Sequence, residues 1–157
     1  MTGPAFHIAQ VNIGRLIAPV EDPRMAEFVN ALDRINALAD AQPGFVWRLT
    51  GAGNNATDLR PDPGDERLAV NASVWESIDQ LAAFAYRSEH REFVRRRHEW
   101  FETPQQAYLA LWWVRAGHTP SLAECTERLA RVRADGPTAH AFDFRTRLPV
   151  PAAESAA

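Results

Sequence analysis

RLAVNASVW, residues 67–75, alternates cleanly: Leu68, Val70, Ala72 and Val74 face one way, and Ala69, Asn71, Ser73 and Trp75 the other. This period of two is the signature of a strand, here with one apolar and one mixed face. Helical signals follow from Ser77, with Ile78, Leu81, Phe84 and Ala85, and Ser88 reads as a second N-cap opening the next helical stretch. Upstream, AFHIAQVNI (5–13) is a strand with Phe6, Ile8, Gln10 and Asn12 on one face and His7, Ala9, Val11 and Ile13 on the other. Asp22-Pro23 is an N-cap and first turn, and Met25, Phe28, Val29, Leu32, Ile35 and Leu38 recur at helical spacing to about Ala39. Such a helix covers a sheet. Pro43-Gly44 is a turn into the short strand FVWRLT (45–50), with Phe45, Trp47 and Leu49 on one side.

Residues 51–66, GAGNNATDLRPDPGDE, form a long loop rich in Gly, Asn, Asp and Pro, either a lid or an extended hairpin connection. YLALWWVRA (108–116) is apolar on both faces, as in a strand covered on both sides. Ser121 caps a helix carrying Leu122, Cys125, Leu129 and Val132, closed by Gly136-Pro137, and HAFDF (140–144) reads as a last short strand. The order predicts an α+β fold, a ferredoxin-like βαββαβ unit with an added C-terminal helix and strand. It forms one domain over residues 1–148, followed by a disordered Pro/Ala-rich tail at 149–157.

A chain of 157 residues is one domain by length, and 46% hydrophobic with 24% charged residues is the composition of a folded globular protein. The net charge of −3 argues against nucleic acid as the main partner. No apolar run reaches the roughly 20 residues of a membrane helix. The first residues lack a basic region followed by an apolar stretch, so no secretory signal is expected. The single cysteine, Cys125, fits a reducing compartment, and a cytoplasmic location is expected. All 17 basic residues are Arg, which leaves no Lys for Schiff-base chemistry.

The chemistry concentrates in HREFVRRRHEWFE, residues 90–102. On a continuous helix, Phe101 and Arg97 fall within about 20° of His90, with Val94, Phe93, His98 and Trp100 flanking them, while Glu92, Arg95, Arg96 and Glu99 take the far side. A buried guanidinium without a partner is costly, so Arg97 must meet a carboxylate, backbone carbonyls or a bound anion. In a pocket, Arg97 would orient an oxygen-bearing ligand and His90 would move a proton. As core, Arg97 would make an ion pair or reach the helix edge, and His90 would bond backbone. Trp112 and Trp113 point to opposite faces, so one at most faces a given cavity. If their strand faces point inward, Asn12, Asn71, Ser73 and Trp75 form a polar cluster that is hard to explain as core. His90 and His98 are eight residues apart, poorly placed for joint metal ligation, and no metal site is expected. Cys125 lies on the apolar stripe of its helix and reads as packing.

The run NASVWESIDQLAAFAYRSEHREFVRRRHEWFE, then LALWWVRAGHTPSLAECTERL and GPTAHAFDF, resembles the uncharacterised family known as domain of unknown function 3291. The resemblance implies membership of the dimeric α/β barrels, in which two ferredoxin-like subunits pair their sheets and each keeps a pocket between sheet and helices. Related families include cofactor-independent, quinone-forming monooxygenases and haem-degrading oxygenases. In the latter, an Asn on the first strand, a Trp ending the third and a His on the following helical segment work together. The counterparts implied here are Asn12, Trp75 and His90 or His98.

The expectation is a homodimeric enzyme that oxygenates or rearranges a hydrophobic, oxygen-bearing metabolite such as a polycyclic aromatic, without a cofactor. His90, Arg97, Trp75 and Asn12 are the catalytic candidates. Trp47, Asn71, Ser73, Phe93, Trp100, Phe101, Trp112 and His118 are the substrate-binding candidates. The alternatives are a non-catalytic binder of haem or another hydrophobic ligand, with His90, His98 or His118 as axial ligand, and a structural dimer module with a filled interior.

Overall fold

The structure, a computed structural model, describes residues 4–87 and 90–152. The N-cap expected at Ser88 lies outside the described residues, as does the end of the tail from 153. Four strands, β1 (Phe6–Arg15), β2 (Phe45–Arg48), β3 (Leu68–Trp75) and β4 (Leu109–Arg115), form one antiparallel sheet in the order β2-β3-β1-β4. Helices α1 (Ala26–Asp40), α2 (Ile78–Arg87) and α3 (His90–Arg95) connect them, and α4 (Leu122–Asp135) follows β4. This is the ferredoxin-like α+β arrangement with an added helix.

Local chemistry accounts for the boundaries. Asp22 accepts from the Arg24 N–H and Pro23 starts a 3-10 turn that leads into α1. Gly44, at φ 86, makes the turn into β2 that a side chain would strain. The Ser121 hydroxyl accepts from the Glu124 N–H and opens α4.

One face of the sheet packs on α1, α2 and α3 through Ile8, Trp75, Leu111, Ile35, Ala39, Leu81 and Phe84. The other packs on α4, with Ala9, Val11, Ala72, Val74, Ala110 and Trp112 against Cys125, Leu129 and Val132. Ala56 and Leu59 of the 51–66 loop pack against this second face too, and Asp58 accepts from the Ala52 N–H to hold the loop.

Three expectations change. Phe45 pairs with Trp75 but Trp47 with Val74, a bulge that turns Phe45 and Trp47 to opposite faces. Residues 140–144 contribute one bridge rather than a strand: Phe142 exchanges both backbone hydrogen bonds with Leu111. The helix expected through residue 102 breaks after Arg95 into a 3-10 turn at Arg97–Glu99. Long-range pairing causes the break, because Ile17 N–H bonds the Trp100 carbonyl and Glu102 N–H the Arg15 carbonyl, drawing residues 100–102 alongside β1.

Candidate active site

The helix-facing side of β1 and β3 carries a continuous ladder of polar side chains. Gln10 Nε2 donates to Asn71 Oδ1 at 2.8 Å and to Ser73 Oγ at 2.9 Å. Trp75 Nε1 donates to the same hydroxyl at 2.9 Å. Asn12 Nδ2 reaches Gln10 Oε1 at 3.3 Å and Asn71 Oδ1 at 3.4 Å. Cross-strand register puts these groups side by side, since Gln10 opposes Ser73 and Asn12 opposes Asn71. The ladder grades from closed to open: Trp75 is 1% exposed and Gln10 and Ser73 are buried, whereas Asn12 is half-buried and Asn71 exposed. Because Asn71 Oδ1 takes the internal bonds, its NH2 group is what the open end offers a ligand.

Arg97 continues the ladder. Its guanidinium lies on Gly14, two residues or about 7 Å along the same face from Asn12, and a Cβ there would stand 2.5 Å from Nη2 and 2.6 Å from Phe101 Cδ1. The Cζ atom sits 4.3 Å from the Phe101 ring centre and 4.4 Å from that of Tyr108. Nη1 is buried without a hydrogen-bond partner, and no carboxylate among the described residues pairs with Arg97. Burial accordingly lowers its pKa from the ordinary guanidinium value. Rings on two sides give the cation a favourable electrostatic seat but accept no strong hydrogen bond. The group remains a donor in want of an acceptor.

The expected constellation divides. Asn12, Asn71, Ser73, Trp75 and Arg97 share one face, and Phe101 walls its open end. His90 does not join them. Its ring packs tilted against Phe84 with centroids 4.8 Å apart, Phe84 in turn stacks at 5.3 Å on Trp75, and Nδ1 lies 3.5 Å from the Ala85 carbonyl. Burial lowers the His90 pKa, so it is neutral at physiological pH. Trp100, 3% exposed, packs with Leu16 and Met25, and Phe93 stacks on it at 5.5 Å. Trp47 and Trp112 belong to the opposite face, where Trp112 Nε1 donates to Glu124 Oε2 at 2.9 Å. His118 is exposed and pairs with the same carboxylate at 2.7 Å. Five substrate-binding candidates, Trp47, Phe93, Trp100, Trp112 and His118, therefore lie away from the ladder. Gln10 and Tyr108 are the partners the sequence reading passed over. Gln10 was readable from its place beside Asn12 on the strand; Tyr108 was not, because its role depends on where the helix breaks.

Two hollows lie elsewhere. One of about 310 Å³ runs between α1 and α3, lined by Glu27, Ala31, Arg34, Arg91, Glu92, Phe93 and Arg96. A wide dish of about 560 Å³ is bordered by Arg15 and residues 63–67. The interior around Trp75 is filled by Phe45 and Phe84. At the outer end of the ladder Asn71 is exposed and Asn12 half-buried.

A family model described as domain of unknown function (DUF3291) matches residues 7–157. This chain belongs to the DUF3291 family. No functionally curated protein matches it. Two crystal structures of SnoaB, a cofactor-independent oxygenase from Streptomyces nogalater, are similar with a TM-score of 0.48. They share 18% and 19% identity, over 72% and 73% of this chain and 95% and 97% of SnoaB. A protein of unknown function from Nitrosomonas europaea gives a TM-score of 0.46 at 12% identity, over 76% of this chain and 99% of that one. All three likenesses are distant. No helix among the described residues of this DUF3291 chain is long and apolar enough to cross a membrane.

Proposed function

We propose that this DUF3291 protein is an enzyme that binds a planar, hydrophobic, oxygen-bearing molecule at the open end of the ladder and oxygenates it without a cofactor. The observation that supports this reading is the Arg97 guanidinium, held between two rings with a buried, unpartnered nitrogen and lying over Gly14 on the strand face that carries Asn12, opposite Asn71. These donors are fixed before a ligand arrives, which is the arrangement that stabilises an oxyanion with little reorganisation. Arg97 and Asn71 hold the ionised oxygen, Asn12 orients it, and Gln10 and Ser73 hold Asn71 and Trp75 in place. Tyr108 and Phe101 take the flat face of the substrate.

With an anthrone-type substrate, a CH2 flanked by two aromatic rings and conjugated to a carbonyl, the first step is loss of a proton to water at the open mouth. The enolate so formed gives an electron to O2, and the two fragments combine. One oxygen atom ends as the new carbonyl of a quinone and the other leaves as water with the two hydrogens lost from the CH2. The substrate supplies every electron. His90, one ring removed from the ladder, keeps Phe84 against Trp75 and acts as a positioning residue.

The test is turnover of anthrone under air, followed by quinone absorbance, with wild type, Asn71→Ala and Arg97→Met. Quinone formation above the spontaneous rate, lost in both variants, supports the reading. The same rate in all three as in buffer would sink it. The filled interior around Trp75 favours a second reading, a structural module, in which neither turnover nor ligand binding is seen.

A further inference from the structure

The direction of the hydrogen bonds along the ladder determines what its open end accepts. Trp75 Nε1 can only donate, and it donates to Ser73 Oγ. Gln10 commits its amide N–H groups to Ser73 Oγ at 2.9 Å and to Asn71 Oδ1 at 2.8 Å, while its Oε1 takes Asn12 Nδ2 at 3.3 Å. Both ends of the Gln10 amide are therefore bonded within the ladder, and at 5% exposure the side chain has little access to water. Register supplies the reach. Gln10 opposes Ser73, and its longer side chain extends to the diagonal neighbour Asn71 as well.

An exposed asparagine left to itself shows either end of its amide to a ligand. Asn71 is exposed, yet it cannot turn alone. Reversed, its Nδ2 would face Gln10 Nε2 across 2.8 Å, donor against donor. If Gln10 turned instead, its Oε1 would face Asn71 Oδ1 and its Nε2 would face Asn12 Nδ2. Each mismatch leaves a desolvated group unbonded, so the three amides turn together or not at all.

We infer that Gln10 is a positioning residue that sets the polarity of the ligand site. By donating to Asn71 Oδ1 it holds the Asn71 NH2 group outward. The open end then takes an oxygen that accepts hydrogen bonds and turns away ligand groups that donate them. The inference rests on the reading of that open end as the ligand site; Gln10 itself touches no ligand. A carboxylate in its place only accepts, so Asn71 would turn its NH2 inward and present its carbonyl. A protonated carboxyl, the form that burial favours, offers one donor again.

Nuclear magnetic resonance on the isotope-labelled full chain reads this polarity without any variant. The expected result is a scalar coupling across the hydrogen bond from Gln10 Nε2 to Asn71 Cγ. A coupling from Asn71 Nδ2 to Gln10 Cδ would overturn the inference. The second arm titrates an anthraquinone sulfonate, whose charge does not change with pH, into wild type and Gln10→Glu. At alkaline pH the variant should bind about 10-fold more weakly than wild type, and recover as the pH falls and the introduced carboxyl takes up a proton. The wild-type curve carries any contribution from His90 and Arg97. Equal affinities at alkaline pH, or a deficit in the variant that pH does not alter, would contradict the role of Gln10. The expected coupling with no sulfonate binding to wild type would support the polarity and sink the proposed ligand site instead.

Discussion

Arg97 is the residue at which structural and ligand-binding roles separate most sharply. A desolvated guanidinium with an unmatched nitrogen costs stability, while a methionine of similar length can fill the space between Phe101 and Tyr108 at no desolvation penalty. Arg97→Met is therefore expected to unfold in urea at or above the wild-type midpoint, yet to bind an anionic aromatic about 10- to 100-fold more weakly, the size of a lost charge-assisted hydrogen bond. A lowered midpoint with unchanged binding would make Arg97 structural. Gly14 supports the same group from below, because a Cβ would crowd both Nη2 and the Phe101 ring. Gly14→Ala should weaken the same binding while leaving circular dichroism unchanged. His90 predicts a pH effect. Burial depresses its folded pKa, so the unfolded chain takes up the proton first; the stability its neutral form contributes is present above the unfolded value, about 6.5, and is lost as pH falls through the folded one. His90→Phe should flatten the loss of stability with acidification below that value, measured by urea unfolding at a series of pH values. An unchanged slope would rule His90 out as its source.

At the scale of elements, periodicity found what is local and missed what distant pairing decides. The strand faces of 5–13 and 67–75 were legible because a period of two needs no partner to be read, and so the ladder of Asn12, Asn71, Ser73 and Trp75 was visible in advance. The helical projection of 90–102 also placed Arg97 beside Phe101, as found. It joined His90 to them by assuming an unbroken helix, which the backbone bonds from 15–17 to 100–102 interrupt. The bulge between Phe45 and Trp47 likewise depends on the partner strand, so nothing in FVWRLT announced that Trp47 turns away. For α4, the stripe of Leu122, Cys125, Leu129 and Val132 gave the helix but not the face it covers. Its contribution is measurable: Leu129, 1% exposed, should cost about 2–5 kcal/mol on truncation to Ala. Urea unfolding would check this, and a loss under 1 kcal/mol would mean α4 is only loosely applied to the sheet.

For the whole molecule, the ferredoxin-like order followed from the succession of strands and helices, whereas the closure of both faces of the sheet did not. A sheet covered by α1–α3 on one side and α4 on the other leaves polar groups at the end where Asn71 is exposed and Arg97 lies over Gly14. The proposed ligand site lies there because the remaining polar groups of that face bond among themselves. The central claim is the location of the ligand. Nuclear magnetic resonance of the side-chain N–H groups, recorded as anthrone is added, tests it most directly. The account predicts that the amides of Asn12, Asn71 and Gln10 and the guanidinium of Arg97 shift together and saturate. Shifts confined to Arg34, Arg91 and Arg96 in the groove between α1 and α3, or no shifts at all, would contradict it.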